Sequence, residues 1–412
     1  MQETSITKTL FRSLRHRNFR LFWSGQLVSL IGTWMQNVGQ AWLVLELTHS
    51  SLKLGIVSAL QFLPMLFLSL FTGPFIDYFD KRRTIIWTQA ALMALAFVLS
   101  LLVWTGTVQY WHIIILATLL GVVNTIDMPA RQAFIMDMVG KEDLMNAVAL
   151  NSSIFNAARA IGPALAGMLI ASMGTAVCFF MNGVSFLAVL ASLLFMRVER
   201  ATGRQKPDYD VLKDMGEAIR YIRATPLVLM TILLVSVVSV FGTNFNVLVP
   251  VFAKMELQRD AAAFGFLMSS FGAGALIGAF SLAVLSRYGP KTSFLLGGGM
   301  CLSLVLVLIG LQRSYGLTAL LLALAGWSMV TFFGMANTTV QLNTEDRMRG
   351  RVMSIYTLAF GGLTPFGSLF AGTVAHWLKA PLTFALGGLI CGLVFFSVIV
   401  KREKFPVWSG DR

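Results

Sequence analysis

One carboxylate lies deep inside an apolar stretch of this sequence. Residues 111–136 are mostly apolar, but they contain Asp127 and, four residues later, Arg131. Side chains four residues apart lie on one face of a helix, so these two are placed to form an ion pair. A carboxylate inside a membrane helix is also a candidate for carrying a proton. We therefore expect one of two roles for Asp127 and Arg131. Either they couple the uptake of a proton to a conformational change and its gate, or they form a structural ion pair.

A second interior charge, Arg159, lies in the sequence FNAARAIGPALAG, residues 155–167. Arginine does not deprotonate in proteins, so it cannot carry the proton itself. An unpaired Arg at the centre of a bilayer costs about 2.5–3.5 kcal/mol on insertion scales, so the side chain must face a cavity or a partner. Three interpretations stay open: an anchor for a solute, a partner of Asp127, or a structural tie to helix ends or backbone carbonyls.

Gly162, Pro163 and Gly167 directly follow this arginine. Proline removes a backbone donor and kinks its helix, and small residues spaced four or five apart let two helices approach closely. We expect the helix to bend here and to pack against its counterpart in the other half of the chain, near Pro365. The alternative is that Pro and Gly are simply common in membrane helices.

The composition of the whole chain requires a lipid environment. Of its 412 residues, 56% are hydrophobic and only 12% are charged, whereas a soluble domain carries about 25% charged residues. Apolar runs of about 20 residues are long enough to cross a hydrocarbon core of ~30 Å as helices. We predict twelve transmembrane helices. The approximate spans are 20–47, 53–76, 84–105, 111–136, 145–172, 175–196, 227–252, 262–286, 293–312, 316–341, 352–377 and 381–400.

The net charge of +13 is distributed unevenly among the connections. With the N-terminus inside, most Lys and Arg residues fall on the inner side of the membrane. Such an excess marks the cytoplasmic side, so with an even number of spans we predict that both termini lie in the cytoplasm. This asymmetry explains the charge, and no nucleic-acid partner is predicted. The basic start of the chain shows no cleavage site, so we expect the first helix to be retained.

The sequence divides into two related halves. The surroundings of Gly55 resemble those of Gly265, and Lys81 corresponds to Lys291 at the same offset of about 210 residues. We predict an all-α membrane protein of two pseudo-symmetric six-helix bundles, residues 1–196 and 227–412, with a cytoplasmic linker at 197–226. Parallel repeats of this kind occur in transporters, with the substrate near the midplane between the halves. Helical spacing within the linker predicts an amphipathic helix on the inner membrane surface. Its apolar residues are Val211, Met215, Ala218, Ile219 and Ile222.

Four stretches carry a family resemblance that covers essentially the whole chain. GPFIDYFDKRR (73–83) resembles the loop between the second and third helices of the major facilitator superfamily, with Asp80 where the general pattern has Gly. DMPARQAF (127–134), KEDLMNAVALNSSIFNAARAIGPALAG (141–167) and EDRMRGRVMSIY (345–356) are similar to a branch that includes bacterial enterobactin exporters and drug-efflux proteins. The resemblance implies twelve helices in two bundles and transport by alternating access.

The resemblance also implies residues of a gate. In the superfamily the loop aspartate, here Asp77, caps the start of the eleventh helix, where backbone N–H groups favour an anion. Gly73 and Arg82 belong to the same motif, Arg131 is expected to share the Asp77 carboxylate, and the alternative for Asp77 is simple solvation. We expect the corresponding contact in the second half to involve Arg349 or Arg351. The Gly162, Pro163 and Gly167 set resembles a fifth-helix motif associated with antiporters.

The implied architecture places polar and aromatic side chains of the first, fourth, seventh and tenth helices around a central substrate path. Gln36 and Gln40 share one face of the first helix, and a buried amide needs a partner or a wet cavity. For each candidate the alternative is a hydrogen bond between helices, worth roughly 0.6 kcal/mol on average. The substrate-binding candidates are Trp34, Gln36, Asn37, Gln40, Asn124, Phe241, Asn244, Phe332, Phe333 and Asn337.

These observations favour a secondary transporter over an enzyme. The sequence has no phosphate-binding P-loop, no nucleophile and base constellation, and no His or Cys spacing typical of a metal site, so no cofactor or metal is predicted. We expect a monomer that exports an amphipathic organic solute, siderophore-like or drug-like, by alternating access and proton antiport. Two alternatives stay open: a proton-independent facilitator of a lipid-like solute, and a receptor or scaffold that does not transport.

Overall fold

The computed structural model describes residues 11–197, 211–285 and 292–400, without the side chains of residues 70, 71, 73–77, 211, 212, 284 and 285. Every regular element in these ranges is helical. After a short 3-10 helix, Arg12–Arg15, the main helices are α1 Arg17–Thr48, α2 Ser51–Tyr78, α3 Lys81–Trp104, α4 Tyr110–Met173, α5 Thr175–Phe195, α6 Val211–Ala224, α7 Pro226–Val237, α8 Phe245–Val251, α9 Ala261–Leu285, α10 Thr292–Leu311, α11 Tyr315–Leu342, α12 Asp346–Thr357 and α13 Thr364–Val400.

Within the described ranges, nine helical segments are long and apolar enough to cross a membrane. Two of them hold two predicted spans each. The 64-residue α4 turns at Gly140, whose φ of 71° is non-helical, and α13 turns at Lys379, whose φ is 67°. The 32-residue α1 is outside the nine because its Arg, Asn and Gln residues lower its hydropathy. The twelve predicted spans are thereby accounted for.

The chain passes back and forth between two ends of the molecule. We call the end that holds Arg17, Asp80, Gly140 and Asp346 the terminus side, and the opposite end the distal side. Helices α1 to α5 form the first half, and the helices from α7 onward form the second half. Pro163 does not interrupt α4, because Gly140 is the residue with non-helical backbone angles inside it.

The two halves meet at two matched glycine crossings on the distal side. A Cβ at Gly55 of α2 would lie 2.6 Å from the Ser368 carbonyl oxygen and 2.8 Å from the Gly372 Cα atom of α13. A Cβ at Gly265 of α9 would lie 2.3 Å from the Pro163 carbonyl oxygen and 2.8 Å from the Gly167 Cα atom of α4. Only glycine allows backbones to approach this closely.

These crossings correct the partner expected for the Gly162, Pro163 and Gly167 motif. Pro163 and Gly167 contact α9 of the second half, whereas the segment near Pro365 belongs to α13, which packs on α2. Gly162 contacts the Trp34 side chain of α1 within the first half. The internal repeat thus appears as two equivalent crossings. One crossing joins α2 to α13, and the other joins α9 to α4.

Helix α6 covers part of the second half at the terminus side. Ala218 and Ile222 are buried in the protein, and Ile222 joins the main hydrophobic core, whereas Ile219 is exposed. The buried part of the apolar face therefore packs on protein, not on lipid as the amphipathic spacing suggested. The preceding residues 198–210 and the repeat residue Lys291 lie outside the described residues.

We expect Gly265→Ala to push the distal ends of the two halves apart. The added methyl group meets backbone atoms, which cannot rotate away, and overpacking of this kind costs about 1–3 kcal/mol. The distance between spin labels at Thr107→Cys and Ser314→Cys, two exposed positions in distal connections of opposite halves, measures the separation. The labelled distance should lengthen in Gly265→Ala.

Gly297→Ala is the matched control, because a Cβ at Gly297 of α10 would meet nothing within 4 Å. It should leave the labelled distance unchanged. An unchanged distance in Gly265→Ala itself would show that the crossing does not hold the distal side closed.

Candidate functional site

Arg159 lies at the boundary between the halves, inside a group of aromatic rings. Its guanidinium carbon is 5.2 Å from the ring centroids of both Trp34 and Phe155 and 5.9 Å from that of Phe271. Phe271 belongs to α9, so the second half supplies one wall. We call Trp34, Phe155 and Phe271 the aromatic box. Cation–π contacts of this geometry stabilise a charge that has little water around it.

Arg159 has no anionic partner among the residues that the structure describes. Its Nε atom is buried without a hydrogen-bond partner. No hydrogen bond from the side chain to a carbonyl or carboxylate is present in the described part of the chain. The interpretations of Arg159 as a partner of Asp127 and as a tie to backbone carbonyls are therefore wrong. Among the described residues, this positive charge is contacted by the three aromatic rings.

Asp127 is fully buried and receives hydrogen bonds from two helices. Arg131 forms the predicted ion pair one turn away on α4, with its Nε atom 2.6 Å from Asp127 Oδ2. From α3, Thr88 Oγ1 donates at 2.6 Å and Gln89 Nε2 donates at 2.9 Å to Asp127 Oδ1. Donors from Arg131, Thr88 and Gln89 therefore satisfy this buried carboxylate. The sequence analysis did not identify Thr88 or Gln89, because no spacing links them to Asp127.

Amide side chains line a small, partly open pocket between α1, α2 and α8. Within it, Gln40 Nε2 donates to Gln61 Oε1 at 2.8 Å, and the predicted residue Asn37 lies on the same wall. Gln61 and Asn246 were missed as site residues, although each is an isolated amide in an apolar span and could have been found by that criterion. The lining residues are Asn37, Gln40, Ala41, Leu54, Val57, Ser58, Gln61, Phe62 and Asn246.

Two predicted substrate residues lie elsewhere. Gln36 is buried and accepts a hydrogen bond of 2.6 Å from Asn182 Nδ2 of α5, so it is a tie within the first half. Phe332 is fully buried in the core of the second half, with its ring centroid 5.5 Å from that of Phe395. Both corrections have one cause. Residue type and depth along a helix do not determine which face of the helix meets the other half.

The remaining candidates contact neighbours within their own halves. Phe241 packs edge-on against Phe370 at 5.0 Å, and Phe333 against Phe360 at 4.8 Å. Asn124 of α4 is half-buried. Asn244 Nδ2 donates a hydrogen bond to the Val240 carbonyl at 2.7 Å. Asn337 Oδ1 accepts one from Gln341 Nε2 at 2.6 Å.

The basic residues after α2 tie helices of the first half together. Lys81 Nζ lies 2.8 Å from Asp137 Oδ2 of α4, and Arg82 Nε donates to the Leu193 carbonyl of α5 at 2.9 Å. Arg131 pairs with Asp127, and its expected contact with the loop aspartate stays a prediction. Gly73 and Asp77 are in α2, but their side chains lie outside the described residues, so the gate role of Asp77 stays a prediction.

In the second half, the two predicted gate arginines have different partners. Arg349 Nη2 pairs with Asp346 at 2.6 Å one turn away on α12. Arg351 reaches the linker helix α6, where it pairs with Asp214 at 2.7 Å and with Glu217. The Tyr221 hydroxyl of α6 also accepts a hydrogen bond from the Glu345 backbone N–H. Arg351 therefore fastens the linker to the second half in this structure.

Asp143 forms an ionic contact that the sequence analysis did not identify. It is 1% exposed, at the connection that follows Gly140, and it pairs with Arg12 at 2.7 Å, Arg15 at 2.8 Å and His16 at 2.7 Å. The His16 hydrogen bond is the largest cause of a lowered Asp143 pKa, which the two arginines lower further and burial opposes. The charged carboxylate thereby holds the segment before α1 against α4.

Comparisons with known proteins agree with this architecture. The family model described as transmembrane secretion effector matches residues 8–412. A staphyloferrin A transporter of Staphylococcus aureus is 27% identical, with 95% of this chain and 98% of the relative covered. The multidrug efflux pump Tap of Mycolicibacterium fortuitum is 26% identical, covering 88% and 91%.

Among solved structures, a bacterial homolog of the human lysosomal transporter Spinster superposes with a TM-score of 0.72 at 14% identity, covering 94% of this chain and 95% of that one. The helical fold and the site between its halves define a multi-pass membrane transporter of a small organic substrate, and not an enzyme. The chain belongs to the transmembrane secretion effector family of the major facilitator superfamily. The predicted fold class is confirmed.

We expect Arg351→Ala to loosen α6 from the second half. The replacement removes both ion pairs, and partly exposed pairs contribute about 0.2–1 kcal/mol each, so amide hydrogen exchange in residues 211–224 should accelerate a few-fold. Arg347→Ala is the matched control on the same helix, because Arg347 pairs only locally with Glu345 at 2.8 Å and is 80% exposed. Equal exchange in both variants would contradict the assignment of Arg351 as the fastening residue.

Proposed function

We propose that the protein is a secondary exporter that moves an amphipathic organic solute, siderophore-like or drug-like, outward by alternating access and proton antiport. The observation that carries this proposal is the arrangement between the halves. Two glycine crossings close one side, and the amide pocket and Arg159 lie where the halves meet. The names of the two relatives, one a staphyloferrin A transporter and one a multidrug efflux pump, support the solute class.

The proposal includes the setting of the chain. We place it in a bacterial inner membrane as a monomer, with both termini in the cytoplasm and with bundles at residues 1–196 and 227–412. The linker at 197–226 then lies in the cytoplasm, and α6 rests against the second half through Arg351. The excess of basic residues on the terminus side supports this orientation.

We infer that, in this orientation, the described contacts are those of an inward-facing state. Contacts between halves occur at the distal side, where Ser51 Oγ donates to the Gly372 carbonyl at 3.2 Å and the Ser58 and Ser368 hydroxyls are 2.9 Å apart. At the terminus side, Lys81 and Arg349 pair with Asp137 and Asp346 of their own halves. Exchange between this state and an outward-facing one would expose the same central site to either side in turn.

Asp127 is the proposed proton site. Of the carboxylates that the structure describes inside the predicted spans, Asp127 is the fully buried one, whereas Glu46 is exposed at the distal end of α1. A proton on Asp127 would neutralise the partner of Arg131 and change the hydrogen bonds from Thr88 and Gln89. Protonation would thereby alter the packing of α3 against α4, which is a physical route to coupling.

We expect Asp127→Asn to abolish accumulation driven by a proton gradient while solute exchange persists. Asparagine keeps the shape but does not titrate, so the alternating movement can continue without coupling. Everted vesicles with an acidic interior test this with three probes: 2-naphthoate, 2-naphthamide and 2-naphthylmethylammonium. The matched control is Glu142→Gln, which removes an exposed carboxylate of the same helix, 3.8 Å from Arg12, and should leave accumulation intact.

The outcomes separate the alternatives. Gradient-driven accumulation that survives in Asp127→Asn removes this residue from the coupling mechanism. Wild-type flux that is unaffected when the gradient is collapsed identifies a proton-independent facilitator. Absence of flux above that of vesicles without the protein, for every probe and in either direction, favours a receptor or scaffold. The facilitator stays in consideration because the Asp127 carboxylate already has Arg131, Thr88 and Gln89 as partners in this structure.

A further inference from the structure

We propose that Arg159 binds a carboxylate of the transported solute, so that the cargo is an amphipathic organic anion. This inference rests on the proposed function, because it names the solute class of the same site. The relatives' names do not carry it. It follows from the charge, contacts and position of one side chain.

The charge balance inside the membrane leaves one place for an anion. Arg131, the other interior arginine, has Asp127 as its counterion, and that carboxylate already accepts hydrogen bonds from Thr88 and Gln89. Arg159 has no counterion in the described part of the chain, and its Nε atom has no hydrogen-bond partner. A guanidinium group presents a planar fork of N–H donors that matches a carboxylate with two parallel hydrogen bonds. A bound anion would supply the partner that the protein does not.

The aromatic box selects what accompanies the carboxylate. Trp34, Phe155 and Phe271 contact Arg159 through their rings, and cation–π contacts leave hydrogen-bond donors of the guanidinium unused. The same rings offer apolar surface to the body of a solute. The predicted ligand is therefore an anion attached to an apolar or aromatic group, and a positively charged solute would be repelled.

The position of Arg159 links this ligand to the movement of the halves. Phe271 comes from the second half, and the next residue, Gly272, approaches the Arg159 backbone so closely that a Cβ there would lie 2.4 Å from its carbonyl oxygen. A ligand held by Arg159 thus contacts both halves at the place where they meet. Differential contact with two conformations is what allows a ligand to shift their populations.

The amide pocket supplies further contacts to the same solute. Asn37 of the pocket follows Trp34 of the box by three residues on α1, which corresponds to about 4.5 Å along a helix and to the same helix face. Gln40, Gln61 and Asn246 extend the polar lining from there. A solute with a carboxylate at Arg159 can therefore place neutral hydrogen-bonding groups in the pocket.

Binding to the purified full-length protein in lipid nanodiscs tests the proposal with three probes of nearly equal shape. These are 2-naphthoate, its neutral amide 2-naphthamide and the cation 2-naphthylmethylammonium, each measured by equilibrium dialysis. We expect wild-type protein to bind naphthoate at least tenfold more tightly than naphthamide and to bind the cation most weakly. In Arg159→Gln, naphthoate affinity should fall to the level of naphthamide, while naphthamide affinity stays the same.

Two further variants complete the design. Arg313→Gln is the matched control, because Arg313 also lies over one aromatic ring, Phe252 at 5.9 Å, but on the distal side, where its Nη1 atom donates to backbone carbonyls. It should bind all three probes as wild type does. Arg159→Lys keeps the positive charge but lacks the planar pair of N–H donors, so naphthoate affinity should fall several-fold. The cation should still bind most weakly. This variant decides the matter if Arg159→Gln gives no folded protein by gel filtration.

The inference is overturned if wild-type protein binds naphthamide or the cation at least as tightly as naphthoate. It is also overturned if Arg159→Gln keeps the preference for naphthoate, or if Arg159→Lys binds naphthoate as wild type does. Failure of the proposed function looks different. In that case naphthoate still binds through Arg159, but no probe crosses the membrane faster than in vesicles without the protein.

Discussion

The absence of water in the hydrocarbon core is the constraint on which this structure depends. Each span satisfies its backbone hydrogen bonds as a helix, and each interior charge needs a compensating contact within the protein. Asp127 and Arg131 compensate each other, and donors from α3 complete the set. Arg159 lies among three aromatic rings and has no counterion in the described part of the chain. Arg131 is therefore already neutralised by a carboxylate of the protein, whereas Arg159 is the charge that we propose binds an anion.

The same constraint determines how the halves can move. Few polar groups are available to hold helices together in lipid, so close packing of small residues carries the contact between halves. At Gly55 and Gly265 the backbones touch, and because the crossings are equivalent by the internal repeat, they form a symmetric pair of contacts on the distal side. Closely packed contacts of this type separate or close as units, which suits two rigid bundles that alternate between two arrangements.

Much of the fold could be predicted from the sequence, and less of the site. Span length, charge asymmetry and the repeat around Gly55 and Gly265 follow from properties that a linear chain records directly, namely hydropathy, charge and spacing. The pairing of Asp127 with Arg131 was predictable because it is local to one helix. Contacts between distant helices were not. The role of Gln36 as a tie to Asn182, the burial of Phe332 and the reach of Arg351 to α6 depend on helix rotation, which residue type does not specify.

The separation of Asp127 from Arg159 constrains any coupling mechanism. Both residues belong to α4, but they lie on opposite arms of it, before and after the turn at Gly140, and they share no ion pair. A proton on Asp127 therefore cannot release a solute at Arg159 by direct competition between charges. Under the proposed proton coupling, the effect of a proton would pass through the packing of α3 on α4 and then through the first half as a rigid body to the crossings that include Gly167. Coupling of that kind would depend on how the bundle is oriented, and the linked sites need not touch.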